Sequence, residues 1–218
     1  AKQAAIAGVK RFIFISTIKV LGEKTEPGRA FRNDDGFNPQ DPYSISKVEA
    51  ELALKLIGEA HDMEIVIIRP PLVYGKGVKG NFASLLKLAR FPIPLPFGSI
   101  QNKRSFVSVE NLVDLIVVCL NHPNAKNQTF LVSDDDDMST SIIFSRLADA
   151  GGYKAYIFSF PLVLLSISLR VLGKSAIYER LCGSMQVNID YTKSQLGWKP
   201  PFKVKDSLSS CWLVDTER

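Results

Sequence analysis

Two short apolar runs with an amphipathic helical pattern between them constrain this chain most. Arg11 to Ser16 reads Arg-Phe-Ile-Phe-Ile-Ser. Such a β-branched and aromatic run, without polar alternation, suits a parallel strand buried on both faces. Glu64 to Arg69 (Glu-Ile-Val-Ile-Ile-Arg) repeats the pattern. Between them, Asp41-Pro42 reads as an N-cap followed by proline at the first helical position. Ile45, Val48, Leu52 and Leu56 then recur at helical spacing, which predicts a helix from Pro42 to about Glu59. Strand, helix, strand in that order is one right-handed parallel crossover. The fold class is therefore α/β. The second strand runs into Pro70-Pro71-Leu72-Val73-Tyr74-Gly75, a turn rich in breakers.

The crossover carries chemistry as well as topology. Thr17 falls at the C-terminal end of the first strand, where open α/β sheets place their ligands. Tyr43 and Lys47 are four residues apart and share a helix face. A free phenol titrates near about 10 and is a poor base at neutral pH. An ammonium one turn away stabilises the phenolate and lowers that value. Tyr43 is thus a candidate acid/base for an alcohol, with Thr17 hydrogen-bonding the reacting oxygen. The arrangement requires Thr17 to lie beside the helix. A Tyr-x-x-x-Lys pair alone is a weak signal, because surface i,i+4 pairs are common. Here it lies between a strand ending in Ser16-Thr17 and one closing in Arg69 to Gly75, which narrows the reading to a catalytic trio.

Composition excludes several classes. The chain has 218 residues, of which 46% are hydrophobic and 22% charged, enough for one or two domains with a real core. The net charge is +5, but Lys and Arg are scattered, without a basic stripe. No nucleic-acid partner is expected. Cys119, Cys182 and Cys211 are too widely spaced for a metal site or a disulfide framework. No metal is expected, and the thiols suit a reducing cytoplasm. Tyr156 to Gly173 is apolar for almost the length of a span, but Pro161, Arg170 and three serines interrupt it. It reads as short elements with a greasy face rather than as an integral membrane span. Asp134 to Asp137 precede a helix-start signal at Met138-Ser139-Thr140, and read as a solvated turn.

Several segments together are similar to extended short-chain dehydrogenase/reductases of the nucleotide-sugar epimerase/dehydratase group. They are Phe12 to Gly22, the Tyr43/Lys47 helix, Arg69 to Gly75, Arg104 to Asp114 and Tyr191 to Pro200. The resemblance implies the C-terminal part of a Rossmann-like parallel sheet over residues 1–75, carrying Thr17, Tyr43 and Lys47. Residues 76–218 would form mainly a smaller α+β substrate-binding lobe, with 105–133 returning to the sheet. It implies NAD as cofactor, with NADP as the alternative, bordered by Ser16, Tyr43, Lys47, Pro70, Pro71 and Val73. It implies a nucleotide-sugar substrate contacted by Thr17, Lys19, Leu72, Asn81 and Arg104, and a homodimer. The guanidinium of Arg104 is suited to a phosphate. Gly75 to Gly80 would be a loop near the substrate.

Two departures refine the expectation. The family's Gly-x-x-Gly-x-x-Gly turn does not occur in this sequence, and the chain opens on Ala1-Lys2-Gln3. By comparison with the family, the sequence reads as a fragment lacking roughly a hundred residues, and the fragment alone should bind dinucleotide poorly. The Asp-Glu pair that dehydratases carry after the threonine is here Ile18-Lys19, which disfavours water elimination. A 4-epimerase and an NAD(P)H-dependent 4-keto-sugar reductase remain, beside a catalytically inactive fold member. Leu72 stands where galactose epimerases often carry asparagine, which leaves room for N-acetylated or deoxy sugars.

Overall fold

The computed structural model describes residues 1–77 and 81–213, apart from the side chains of Asn81 and Ala176. Helix α1 (Lys2–Ile6) leads into β1 (Arg11–Ile15), then α2 (Pro42–His61) and β2 (Glu64–Arg69). The first crossover is therefore as the apolar runs indicate. Asp41 and Ser44 form a reciprocal capping box at the start of α2, satisfying donors that a helix N-terminus otherwise leaves bare. The helix ends where Asp62 turns left-handed, with φ of 49°, a conformation aspartate tolerates better than most residues.

Strand β1 pairs in parallel with β2, matching Ile13 to Val66 and Ile15 to Ile68. On its other edge β2 pairs in parallel with β5 (Thr129–Leu131). The order β1-β2-β5 makes one parallel sheet, and residues of β2 alternate between its faces. Ile65 and Ile67 pack with Leu54 of α2 on one face. Val66 and Ile68 join the main core on the other, with Leu112 and Leu115 of α4 (Val109–Asn121). Burial on both faces explains why the β2 run lacks polar alternation.

The breaker-rich segment after Arg69 is not only a turn. Leu72–Tyr74 forms β3, which pairs in parallel with β4 (Phe106–Ser108) as a separate two-stranded sheet. Pro70 and Pro71 lie just ahead of the paired residues, where a missing N–H costs the ladder nothing. A second core gathers α3 (Asn81–Ala89), α5 (Thr140–Ala150), α6 (Leu162–Val171) and α9 (Val204–Ser210) around Phe82, Phe97, Phe144 and Leu147. Between α6 and α9 run α7 (Ser175–Cys182) and α8 (Asp190–Leu196). Among the described residues no helix is long and apolar enough to cross a membrane.

Candidate functional site

The site forms where β1 ends against the first turns of α2. Ser16 continues the sheet by donating its N–H to the Ile68 carbonyl at 2.8 Å, and the Ile18 N–H reaches the Pro70 carbonyl at 2.9 Å. Thr17 lies between these two backbone bonds, buried. It N-caps the short 3₁₀ turn Ile18–Val20, its hydroxyl accepting from the Lys19 N–H at 3.3 Å. The Ser16 hydroxyl is buried without a hydrogen-bond partner among the described residues.

Lys47 joins the helix to this strand end. Its ammonium donates to the Ile15 carbonyl at 3.0 Å, sits 4.6 Å from the centre of the Phe14 ring, and lies 5.8 Å from the centre of the Tyr43 ring. Tyr43, in the first turn of α2, is 52% exposed. Its hydroxyl makes no hydrogen bond among the described residues. Helix and strand end thus bring Thr17, Tyr43 and Lys47 into one neighbourhood, with the tyrosine facing outward.

Lys19 makes a second link. Its ammonium contacts Asp41 at 2.5 Å and Glu23 at 2.6 Å, tying the turn after Thr17 to the cap of α2. Partial burial pulls the Lys19 pKa down, but the bonds to Asp41 and Glu23 outweigh that and leave it raised. The Lys19 contact, helped by the N–H and hydroxyl of Ser44, holds the Asp41 carboxyl well below the usual carboxylate range.

Beneath these links lies a buried ion pair. Glu51, one turn beyond Lys47, meets the Arg69 guanidinium through bonds of 3.0 and 2.6 Å. The two side chains are 0% and 4% exposed. Arg69 occupies the same face of β2 as Ile65 and Ile67, so α2 covers it. Phe37 stacks on the guanidinium at 5.1 Å, while the Nη1 of Arg69 is buried without a partner among the described residues.

The remaining residues singled out in the sequence lie around the mouth of this region or beyond it. Pro70 and Pro71 are buried, and Leu72 and Val73 are half-buried in β3. Asn81 opens α3, but its side chain lies outside the described residues, as does the part of the Gly75–Gly80 loop from 78 to 80. Arg104 sits where three segments meet, its backbone bridging Met138 and Met185. Its Nη1 donates to the carbonyls of Arg180 and Gly183 at 3.1 and 3.0 Å. Burial lowers its pKa, with the charge of Glu23 acting against that. A half-buried guanidinium held by neutral carbonyls retains its appetite for an anion.

The acidic run 134–137 departs from a solvated turn. Asp134 is buried, taking hydrogen bonds from the Tyr74 hydroxyl at 2.6 Å, Asn111 at 2.7 Å and the Ser108 N–H. Burial raises its pKa against these bonds, and burial with the nearby Asp134 charge pushes the Tyr74 phenol well up. Asp137 accepts from Ser105 and Gln186, while Asp135 and Asp136 pair with Lys193 and Arg146. Sequence alone suggested neither this network nor the Glu51–Arg69 pair; the one signal was a charged residue at a core-facing place of an apolar strand. Among the described residues no cluster of His, Cys, Asp or Glu could hold a metal ion.

Comparison with known proteins agrees with this architecture. Residues 1–133 match the model of the NAD dependent epimerase/dehydratase family, and the chain belongs to that family. It is 54% identical over 209 residues to a UDP-glucose 4-epimerase of Vibrio cholerae, covering 95% of this chain and 64% of the relative. The chain therefore spans under two thirds of that relative's length. In structure it is similar to a UDP-glucuronic acid 4-epimerase from Bacillus cereus in complex with NAD, with a TM-score of 0.73 and 21% identity, covering 96% and 62% of the two chains. It is also similar to RMD from Pseudomonas aeruginosa complexed with NADPH, with a TM-score of 0.72 and 20% identity, covering 93% and 65%. These structural likenesses concern the fold.

Proposed function

We propose that this chain carries the acid/base half of an NAD-dependent nucleotide-sugar 4-epimerase. The observation that carries the reading is the Lys47 ammonium held between the Ile15 carbonyl and the Tyr43 ring, at the strand end that leads into Thr17. Lys47 spends one of its three donors on Ile15. The others remain to stabilise a Tyr43 phenolate and bind a ribose hydroxyl. Tyr43 takes the proton from the C4 hydroxyl of the sugar and later returns it. Thr17 donates to the same oxygen and aligns it. The sequence and the 54% identical relative both support this chemistry over dehydration.

A nicotinamide fits the residues present. Ser16 offers a buried hydroxyl unpartnered among the described residues, Tyr43 and Lys47 would hold the ribose, and Pro70, Pro71 and Val73 would form an apolar border. When bound, the nicotinamide supplies reversible hydride transfer at sugar C4. Arg104 would pair with a substrate phosphate, Leu72 would border the sugar, and Asn81 would contact the diphosphate. Lys19, spent on Asp41 and Glu23, would act at the substrate through the position of Thr17. We assign residues 1–75 to the cofactor and catalytic part and 76–218 mainly to the substrate lobe.

The outer face of α2 carries exposed Ile45, Leu52 and Leu56, which supports pairing of two copies through this helix. Three free thiols and a nucleotide-sugar substrate support a cytoplasmic location.

The test uses the longest natural chain containing these residues, incubated with UDP-glucose and UDP-N-acetylglucosamine without added cofactor. Proton NMR should show the C4 epimer. No epimer, with NADPH consumed on a 4-keto sugar nucleotide, would instead assign the 4-ketoreductase. Tyr43→Phe should remove most turnover, a loss of about 10²-fold or more, while sparing substrate binding. Unchanged turnover sinks the mechanism and favours a catalytically inactive fold member.

A further inference from the structure

Helix α6 turns the wrong side outward. Leu165 is buried, and Leu162 and Leu169 pack against the core of the lobe. A surface helix built this way normally carries polar residues opposite that stripe. Here Val163, Ile167 and Val171 occupy the opposite side, at 70%, 53% and 80% exposed, with Leu164 beside them. The apolar face continues into exposed Leu172 and, on α7, Ile177. Tyr156 and Phe158, in the segment leading into α6, are also near half exposed.

Charge says what covers this face. Residues 151–182 contain four basic side chains (Lys154, Arg170, Lys174 and Arg180) and a single acidic one, Glu179. None of the four cations is in an ion pair among the described residues; Lys154 instead sits 5.5 Å from the centre of the Tyr156 ring. Arg170 and Lys174, both exposed, lie at the edge and end of the apolar side. A second copy meeting this face across a twofold axis would bring like charges together, which disfavours self-association here. A helix apolar outside, flanked by unpaired cations and unable to span a bilayer, matches an element lying in a membrane interface.

We propose that the outer face of α6, with the start of α7, docks on an anionic lipid surface. Val163, Ile167 and Val171 would enter the headgroup boundary while Arg170 and Lys174 meet the phosphates. Because the Nη1 of Arg104 is held by carbonyls at the end of α7, docking would bring the candidate phosphate-binding end of the site toward the lipid. The inference stands on exposure and charge, and does not depend on which reaction the protein catalyses.

The test is sedimentation of the full chain with vesicles of phosphatidylcholine mixed with phosphatidylglycerol, and of phosphatidylcholine alone, at low and high salt. The protein should pellet with the anionic vesicles at low salt and be released as salt rises. Arg170→Glu/Lys174→Glu should weaken binding by about tenfold or more, and Val163→Asp/Ile167→Asp should abolish it. All four side chains are exposed, so both variants should melt as the parent does; should the Asp variant unfold, the charge-reversed variant carries the test. No pelleting at low salt overturns the proposal. So does equal binding to neutral vesicles, binding unmoved by the charge reversal, or a parent dimer that Val163→Asp/Ile167→Asp dissociates.

Discussion

Replacing Arg69 with methionine tests whether the buried ion pair holds helix α2 on the sheet. The Glu51 side chain has no exposed surface and its two oxygens take bonds of 3.0 and 2.6 Å from Arg69. Arg69→Met keeps most of the volume but leaves that carboxylate buried and alone. Breaking a buried pair from one side costs about 3–5 kcal/mol. Loss of the Phe37 stacking, at 5.1 Å, adds about 0.5–1 kcal/mol. A natural domain is stable by only about 5–15 kcal/mol, so the single variant sits near unfolding. Removing both charges has a different sign. Glu51→Leu/Arg69→Met buries no charge and also eliminates the unpartnered Nη1 of Arg69. Such replacements are neutral or stabilising. Urea melts at neutral pH, comparing midpoint and slope across the four-member cycle, read both numbers. The reasoning fails if Arg69→Met lies within about 1 kcal/mol of the parent, or if the double variant is no better than the single ones.

Asp41→Ala removes the cap of α2 and one of the two carboxylates that hold Lys19, and should cost about 1 kcal/mol at neutral pH. Because the folded carboxyl titrates below its unfolded value, its contribution is complete above about pH 4 and is lost as the pH falls from there toward the folded value. Asp41→Asn keeps a cap but not the charge, so its acid unfolding should be less steep in that window than the parent's. Gly58→Ala should lower the melting temperature although alanine favours helix by about 1 kcal/mol. Its Cβ would stand 2.7 Å from the Met63 carbonyl oxygen and 2.6 Å from Ile65, and overpacking costs about 1–3 kcal/mol. An unchanged or raised melting temperature would refute that balance. Arg104→Lys, measured with the nucleotide sugar in the longest natural chain, should raise KM by about tenfold with little change in kcat, since lysine lacks the planar fork. Equal losses in both constants would place Arg104 in the chemistry instead.

What the sequence discloses follows from the range of the forces involved. β1, α2 and β2 were legible because period and capping are local, and Tyr43 and Lys47 because i,i+4 spacing puts both on one face. The partners of Lys19, Glu51 and Asp134 were not legible. Asp41 lies 22 residues from Lys19, Arg69 lies 18 from Glu51, and Tyr74 lies 60 from Asp134. A charge in a sequence looks solvated until its burial is known. Arg69 could have been suspected, since it closes an apolar run at the parity of Ile65 and Ile67. β3 was hidden because the two prolines ahead of it advertise a turn, while a three-residue strand has too few side chains to show alternation.

The geometry of the trio follows from where the backbone is fixed. Thr17 is bracketed by N–H donations from Ser16 and Ile18 to carbonyls of the β2 strand and the turn after it, so its position is set by sheet register rather than by a loop. Lys47 is fixed to the Ile15 carbonyl of the same strand, and Lys19 binds the cap of the helix that carries Tyr43. Tyr43 faces outward, while Lys47 and the backbone on both sides of Thr17 are tied to the sheet and the turn after it. The hydrogen bonds and ion pair that fix Thr17, Lys47 and the cap of α2 run among β1, α2, β2 and the turns beside them. The proposed substrate positions Leu72 and Arg104 belong instead to strand β3 and to a junction with segments near 138 and 185. Differences in sugar choice among relatives should therefore fall there, with the β1–α2 contacts left intact.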